Sequence, residues 1–118
     1  MNNLALIIED DYDLSNIFAQ ALQATGFEAR IIRDGARALT WLFAETPDVV
    51  VLDLHLPHVD GREILQQIRS DSRLKEVQVI IVTADARTAE TLREEADLVL
   101  VKPVSFNQLR DLAARLRK

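Results

Sequence analysis

Short apolar runs alternate along this chain with longer stretches whose apolar residues recur at helical spacing. LALII (Leu4–Ile8) predicts a buried strand. Leu14, Ile17, Phe18, Ala21 and Leu22 then mark one face of a helix, with Asp13 placed to cap its start and Gly26 to end it. FEARII (Phe27–Ile32) alternates at first, as a half-exposed edge strand does. Asp34 opens a second helix through Ala44, with Leu39, Trp41, Leu42 and Phe43 as its apolar content, and Pro47 closes that segment. VVVLDL (Val49–Leu54) is apolar except at Asp53, the pattern of a central strand covered on both faces. After the loop HLPHVDG, a third helix over Gly61–Ser70 turns Ile64, Leu65 and Ile68 inward. VQVIIV (Val77–Val82) predicts a fourth strand, Arg87–Glu95 a short helix, and LVLV (Leu98–Val101) a fifth strand. Ser105 caps a last helix whose Phe106, Leu109, Leu112, Ala113 and Leu116 share a face. Five β/α units in strict alternation imply a parallel sheet between helices, joined by right-handed crossovers.

Composition narrows the class. A length of 118 residues predicts one domain, 1–118, large enough to bury a core without staples. Cysteine is absent, which excludes disulfides and thiolate metal sites and allows a reducing compartment. No apolar run is long enough to cross a bilayer, and MNNLALIIEDDYD has no basic start, so neither a span nor a signal peptide is expected. A net charge of −5, from 14 basic and 19 acidic residues, argues against nucleic-acid binding through a basic face.

In an open parallel sheet, ligands bind beyond the carboxyl ends of the strands. There the chain places Glu9, Asp10 and Asp11 after the first strand, Asp53 on the third, Thr83 on the fourth and Lys102–Pro103 on the fifth. With those strands as neighbours, Glu9, Asp10 and Asp53 crowd together, and at least one carboxyl pKa must rise. A divalent cation relieves the repulsion. All-oxygen ligands favour magnesium or manganese over zinc. Lys102 supplies a point charge for a phosphate oxygen, Thr83 a hydroxyl donor, and Asp53 a carboxylate nucleophile. Those are the parts that phosphoryl transfer onto an aspartate requires.

Each residue also has a plainer reading. Asp53 alone could cap the loop after its strand, Glu9–Asp13 could be a solvated acidic turn, and Thr83 a β-branched strand residue. Lys102–Pro103 could be a surface turn. His55 and His58 match no metal-ligand spacing. What outweighs these readings is the arrival of all the polar groups at one edge of one sheet.

Four segments carry a resemblance: IIEDD after the first strand, VVVLDLHLPHVDG around the third, IIVTAD around the fourth and VKP at the fifth. At these spacings the chain resembles, over nearly its whole length, the receiver domain of two-component response regulators. The resemblance implies a flavodoxin-like doubly wound fold of strand order 2-1-3-4-5 flanked by five helices. It implies that Asp53 accepts a phosphoryl group from a phosphohistidine of a sensor histidine kinase or histidine phosphotransfer protein, or from a small phosphodonor. Asp10, Asp53 and the backbone carbonyl of His55 would ligate magnesium or manganese, with Glu9 holding metal-bound water. Thr83 and Lys102 would contact the phosphoryl oxygens, and Ala84 would be small to let that group enter. His55 and Asp85 would influence the lifetime of the phosphorylated state, and Lys102–Pro103 would be a cis peptide. The implied protein is a cytoplasmic regulator rather than an enzyme, acting on an output partner, with a homodimer possible and no direct role for nucleic acid or membrane.

Two positions depart from the family pattern. Val99 stands where receivers carry Tyr or Phe. The stretch from Thr83 to Lys102 is a few residues short, with Glu95 in place of the Gly that usually ends the fourth helix, so that helix should be short or irregular. Both changes fall on the face of helix four, strand five and helix five, which receivers commonly use for dimerisation and output. Two other classes of function compete: a phosphorylation-independent interaction module on the same fold, and a haloacid-dehalogenase-like phosphatase. The latter resembles this site but needs a second Asp where this chain has His55. A flavodoxin-like cofactor binder would need a phosphate loop where EDDYD repels phosphate. The chain ends in LAARLRK, a helix that could continue into a linker.

Overall fold

Apolar β-branched residues dominate the strand segments, and the computed structural model assembles them into one five-stranded sheet of order β2-β1-β3-β4-β5, parallel throughout. The structure describes residues 3–116, so Arg117 and Lys118 of the final LAARLRK lie outside the described residues. The elements run β1 (Leu4–Ile8), α1 (Tyr12–Gln23), β2 (Glu28–Ile32), α2 (Gly35–Ala44), β3 (Val49–Asp53), α3 (Gly61–Ser70), a 3-10 turn (Ser72–Leu74), β4 (Gln78–Thr83), α4 (Ala86–Thr91), β5 (Leu98–Val101) and α5 (Phe106–Leu116).

Side chains alternate across each strand, so the sheet divides the core in two. Ala5, Ile7, Val49, Val51, Ile80 and Val82 meet α1 and α5 through Phe18, Leu22 and Leu109. Leu6, Ile8, Val50, Leu52, Val79 and Ile81 meet α2 and α3 through Leu42, Ile64, Leu65 and Ile68. β3 is buried at every residue, as its apolar run predicts for Val49–Leu52, whereas β2 at the edge is not.

Several boundaries differ from expectation. Asp11, not Asp13, caps α1: its Oδ1 accepts from Leu14 N at 2.9 Å, and Asp13 falls inside the first turn, where its charge complements the helix N-terminus. β2 starts one residue late at Glu28, β3 ends at Asp53, and β4 is shifted one residue to Gln78–Thr83, since strand ends follow pairing rather than hydrophobicity. α4 is short as expected but occupies Ala86–Thr91 rather than Arg87–Glu95, because Asp85 caps it and the turn after Leu92 cuts it off. The 3-10 turn had no apolar signature. On α2 the inward residues are Gly35, Ala38 and Leu42, while Phe43 is 66% exposed.

Candidate functional site

Parallel strands deliver their last side chains to one rim. Asp53 is the final residue of β3 and sits opposite Val82 of β4, 3% exposed. Glu9 follows β1 directly and is 1% exposed, while Asp10 beside it is open to solvent. One carboxylate oxygen from each of Glu9, Asp10 and Asp53 lies within 4.8 Å of the others. Lys102, just past β5, reaches back to them: its Nζ is 3.0 Å from Glu9 Oε1 and 3.5 Å from Asp53 Oδ2. The lysine is placed by its own N–H, which donates to Thr83 O at 2.8 Å, and the following Lys102–Pro103 peptide is cis.

The remaining carboxylate oxygens are held by backbone. Glu9 Oε2 accepts from Asp11 N at 3.2 Å, and Asp53 Oδ1 from His55 N at 3.1 Å. Asp53 is thus both the cap of its loop and a member of the cluster; the plain and the chemical readings coexist. Thr83, fully buried at the end of β4, accepts from Asp85 N at 3.1 Å and lies 3.4 Å from His55 Nε2. Ala84 follows it as an exposed residue. Asp85 caps α4 by accepting from Arg87 N at 2.9 Å and from Thr88 Oγ1 at 2.9 Å. Val99, opposite Ile81, is half-buried and packs with the α2–α3 side of the core. Pro103 is exposed.

Charge crowding shows in the ionisation of these groups. Burial, then the hydrogen bond and charge of Asp53, push Glu9 up to about 7, against the pull of Lys102. Burial works against the Lys102 ammonium, yet the bonds and charges of Glu9 and Asp53 win and raise its pKa. The Thr88 hydroxyl and the Arg87 and Thr88 amides hold Asp85 below the usual carboxylate range. Three carboxylates served by one ammonium fit a hard divalent cation: the donors are all oxygen, and Glu9 is poised to take up a proton where no second cation serves it.

The rim therefore brings together Glu9, Asp10, Asp53, Thr83 and Lys102, with His55 and Asp85 tied to Thr83. Ala84 and Pro103 are neighbours in sequence, and Val99 stands apart on the α2–α3 side. Sequence reasoning missed Arg62. It lines a cavity of about 530 Å³ with Asp10, His55, Leu56, Asp60 and Thr88, and its Nη2 lies 3.4 Å from Thr88 Oγ1. On a helix a lone arginine reads as solvated surface; the one signal was Asp60–Gly61, which starts α3 at this rim.

Known proteins resemble this chain in sequence and in fold. The family described as response regulator receiver domain matches residues 5–114. The probable methanogenesis regulatory protein FilR2 of Methanothrix harundinacea is 32% identical over 98% of this chain and 81% of its own length. The DNA-binding response regulator MtrA of Mycobacterium tuberculosis is 33% identical over 100% of this chain but 52% of its own length, so the chain spans about half of that relative. Among solved structures, the bacteriophytochrome response regulator RtBRR superposes with a TM-score of 0.85 at 31% identity, covering 100% of this chain and 80% of that one. The Mn(2+)-bound form of response regulator Rcp1 superposes with a TM-score of 0.79 at 25% identity, covering 97% and 91%. With the strand order and the acidic rim already in place, the match across residues 5–114 makes the chain a member of the response regulator receiver domain family.

Proposed function

We propose that this domain is a phosphoacceptor switch in a two-component phosphorelay, with Asp53 as the residue phosphorylated. The observation that carries the reading is a buried Asp53 carboxylate 3.5 Å from Lys102 Nζ, inside a three-carboxylate cluster. Asp10, Asp53 and the His55 carbonyl would hold magnesium or manganese, with Glu9 holding its water. When bound, the cation neutralises charge that builds on the phosphoryl oxygens.

This chain's own residues do the rest. An Asp53 oxygen attacks phosphorus, the bond to the donor nitrogen of a phosphohistidine breaks, and the electron pair leaves with the imidazole. The Lys102 ammonium exchanges part of its hold on Glu9 and Asp53 for a phosphoryl oxygen. The Thr83 hydroxyl donates to another, and exposed Ala84 leaves the approach open. The product adds a group of about −1.5 to −2 charge, by analogy with other phosphoryl modifications, and draws Thr83 and Lys102 toward it. The domain promotes only its own phosphorylation and dephosphorylation, tuned by His55 and Asp85 beside Thr83. A sensor histidine kinase or histidine phosphotransfer protein would be the donor. An output partner would read the phosphorylated form, and a homodimer is one form the output can take.

His55, where a phosphatase of the dehalogenase type needs its second Asp, speaks against turnover of phosphomonoesters. Incubation with acetyl phosphate and magnesium, read by intact mass, tests the proposal. One phosphoryl group should add to the wild type and none to Asp53→Asn; equal labelling of the two would overturn it.

A further inference from the structure

One cation beside the phosphoacceptor has no part in that scheme. Arg62 is the second residue of α3 and the only Lys or Arg among the residues lining the 530 Å³ cavity. Asp10 and His55 line the same cavity, Asp10 as a member of the carboxylate cluster and His55 as the donor to Asp53 Oδ1. The cavity thus opens at the edge of the phosphoacceptor.

Arg62 is loosely held there. Its Nη1 is 3.8 Å from Asp60 Oδ2 and its Nη2 is 3.4 Å from Thr88 Oγ1, both beyond good hydrogen-bond distance. Its side chain is 52% exposed. Asp60 is already engaged as the α3 cap, accepting from Arg62 N at 2.9 Å. Lys102, by contrast, is committed to Glu9 and Asp53. A guanidinium placed this way is available to a carboxylate entering the cavity, and its planar fork suits a two-pronged contact.

We infer that Arg62 receives the leaving group of a small acyl phosphate, and so biases the domain toward phosphodonors whose leaving group departs as a carboxylate. This rests on the reading of Asp53 as phosphoacceptor. In the step, an Asp53 oxygen bonds to phosphorus, the P–O bond to the acyl group breaks, and the electron pair leaves on the carboxylate; no proton moves. Negative charge grows on the departing oxygen as that bond stretches. Arg62 therefore holds the transition state more tightly than the bound donor, which is the condition for a rate effect. Phosphoramidate is the contrast. Its P–N bond breaks with the nitrogen already protonated, ammonia leaves uncharged, and Arg62 has no new charge to meet.

A purely structural role is the rival. Arg62 touches Thr88, Thr88 donates to Asp85, and Asp85 N donates to Thr83, so Arg62 could act by steadying Thr83. That route would affect every donor alike. Incorporation rates with acetyl phosphate and with phosphoramidate, in magnesium, separate the two. Arg62→Ala should slow labelling by acetyl phosphate about threefold, the size of a solvent-exposed charge interaction, and leave phosphoramidate unchanged. Arg62→Lys should keep most of the rate, and the donor difference should shrink at high salt. Thr88→Val, which keeps the guanidinium, should treat both donors equally. Equal slowing of both donors by Arg62→Ala, or no slowing of either, overturns the inference while Asp53 still labels. Wild type that labels with neither donor overturns the phosphoacceptor reading, and the leaving-group assignment with it.

Discussion

Around β1 and β3 the rim of the sheet is charged and anchored on buried carboxylates; around α4 and β5 it is shallow and held by polar clamps. Glu9 and Asp53 are almost wholly buried, and the strands beneath them are buried at nearly every residue. On the other flank α4 has six residues, Leu98 and Val99 are half-covered, and Val101 is 40% exposed. Arg69 supplies much of what apolar contact does not. It donates to Glu95 O at 2.7 Å, Val77 O at 2.9 Å and Asp97 Oδ2 at 3.0 Å, and that same Asp97 oxygen accepts from Val79 N at 2.7 Å. The difference teaches where rigidity is placed. Charge transfer needs groups held against repulsion, so the cluster sits on the most deeply packed strands. A switch needs an element that opens at low cost, and such elements have few apolar contacts and solvent-accessible hydrogen bonds.

The sharpest way to break the rigid side is a single methyl group. A Cβ at Gly61 would lie 2.6 Å from Leu54 Cα and 2.9 Å from Asp53 O, both backbone atoms. Neither can move without shifting the loop that follows Asp53. Gly61→Ala should cost about 3 kcal/mol, the upper end for overpacking, and slow Asp53 labelling as well. Gly35→Ala is the control away from the cluster: its Cβ meets Val59 Cβ at 2.8 Å, a side chain on a partly exposed loop. Its cost should be clearly smaller, since the side chain and loop of Val59 can yield where the backbone of Asp53 and Leu54 cannot. Urea midpoints for the two variants check the ranking, and equal costs would contradict it.

The charged half should also reveal itself through pH. Glu9 is raised from 4.5 to about 7 in the folded protein, so the fold binds its proton more tightly than the unfolded chain does. The stability it contributes is full well below pH 4.5 and is lost as pH rises toward 7, roughly 3 kcal/mol. In chelator, Glu9→Gln should flatten that fall. Magnesium should act in the opposite sense, stabilising more at pH 8 than at pH 5, because it favours the ionised carboxyl. Thermal melts across this range, with and without metal, measure both slopes.

Much of the rigid half was legible in the sequence. β1 and α3 have the bounds that hydrophobic pattern and capping predict, as β5 does on the other flank, and Glu9, Asp10, Asp53, Thr83 and Lys102 meet because parallel strands deliver their ends to one edge. The capping error at α1 came from a run of acids, Asp10, Asp11 and Asp13, each chemically able to cap; only the path of the chain selects Asp11. The Arg69 clamp was invisible, since its partners Glu95 and Asp97 lie on the far side of β4 in sequence and no periodicity links them. On α2 the apolar residues did not single out the buried face, where Ala38 and Leu42 turn inward while Phe43 stays exposed.

Removing the clamp should loosen the α4–β5 flank and leave the cluster standing. Arg69→Ala leaves the Asp97 carboxylate to the Val79 amide and solvent and frees Val77 O, a loss of about 1–2 kcal/mol by the usual worth of such bonds. Hydrogen exchange should locate the change. Amides of β5 and of the turn before it should exchange faster, while those of β1 and β3 keep their protection. Faster exchange at β3 would mean that the two flanks open as one unit.

The smallest effect concerns the cap of α4, and its pH sign is opposite to that of Glu9. Asp85 is held below its ordinary 3.8 by the Thr88 hydroxyl and by the Arg87 and Thr88 amides. A carboxyl with a depressed folded pKa contributes stability that is present above its unfolded pKa and lost as pH falls through the folded one. Acid below pH 3.8 should therefore fray α4 while the Glu9 contribution remains in full. Asp85→Asn keeps an oxygen that can accept from the same amides but has no proton to gain, so its α4 exchange should not accelerate in acid. Asp85→Ala should show fast exchange over Arg87–Thr91 already at neutral pH, with little movement of the global midpoint. If Asn behaves as Ala does, the charge and not the hydrogen-bond geometry holds the helix start, and the start of α4 is governed by electrostatics like the rim it adjoins.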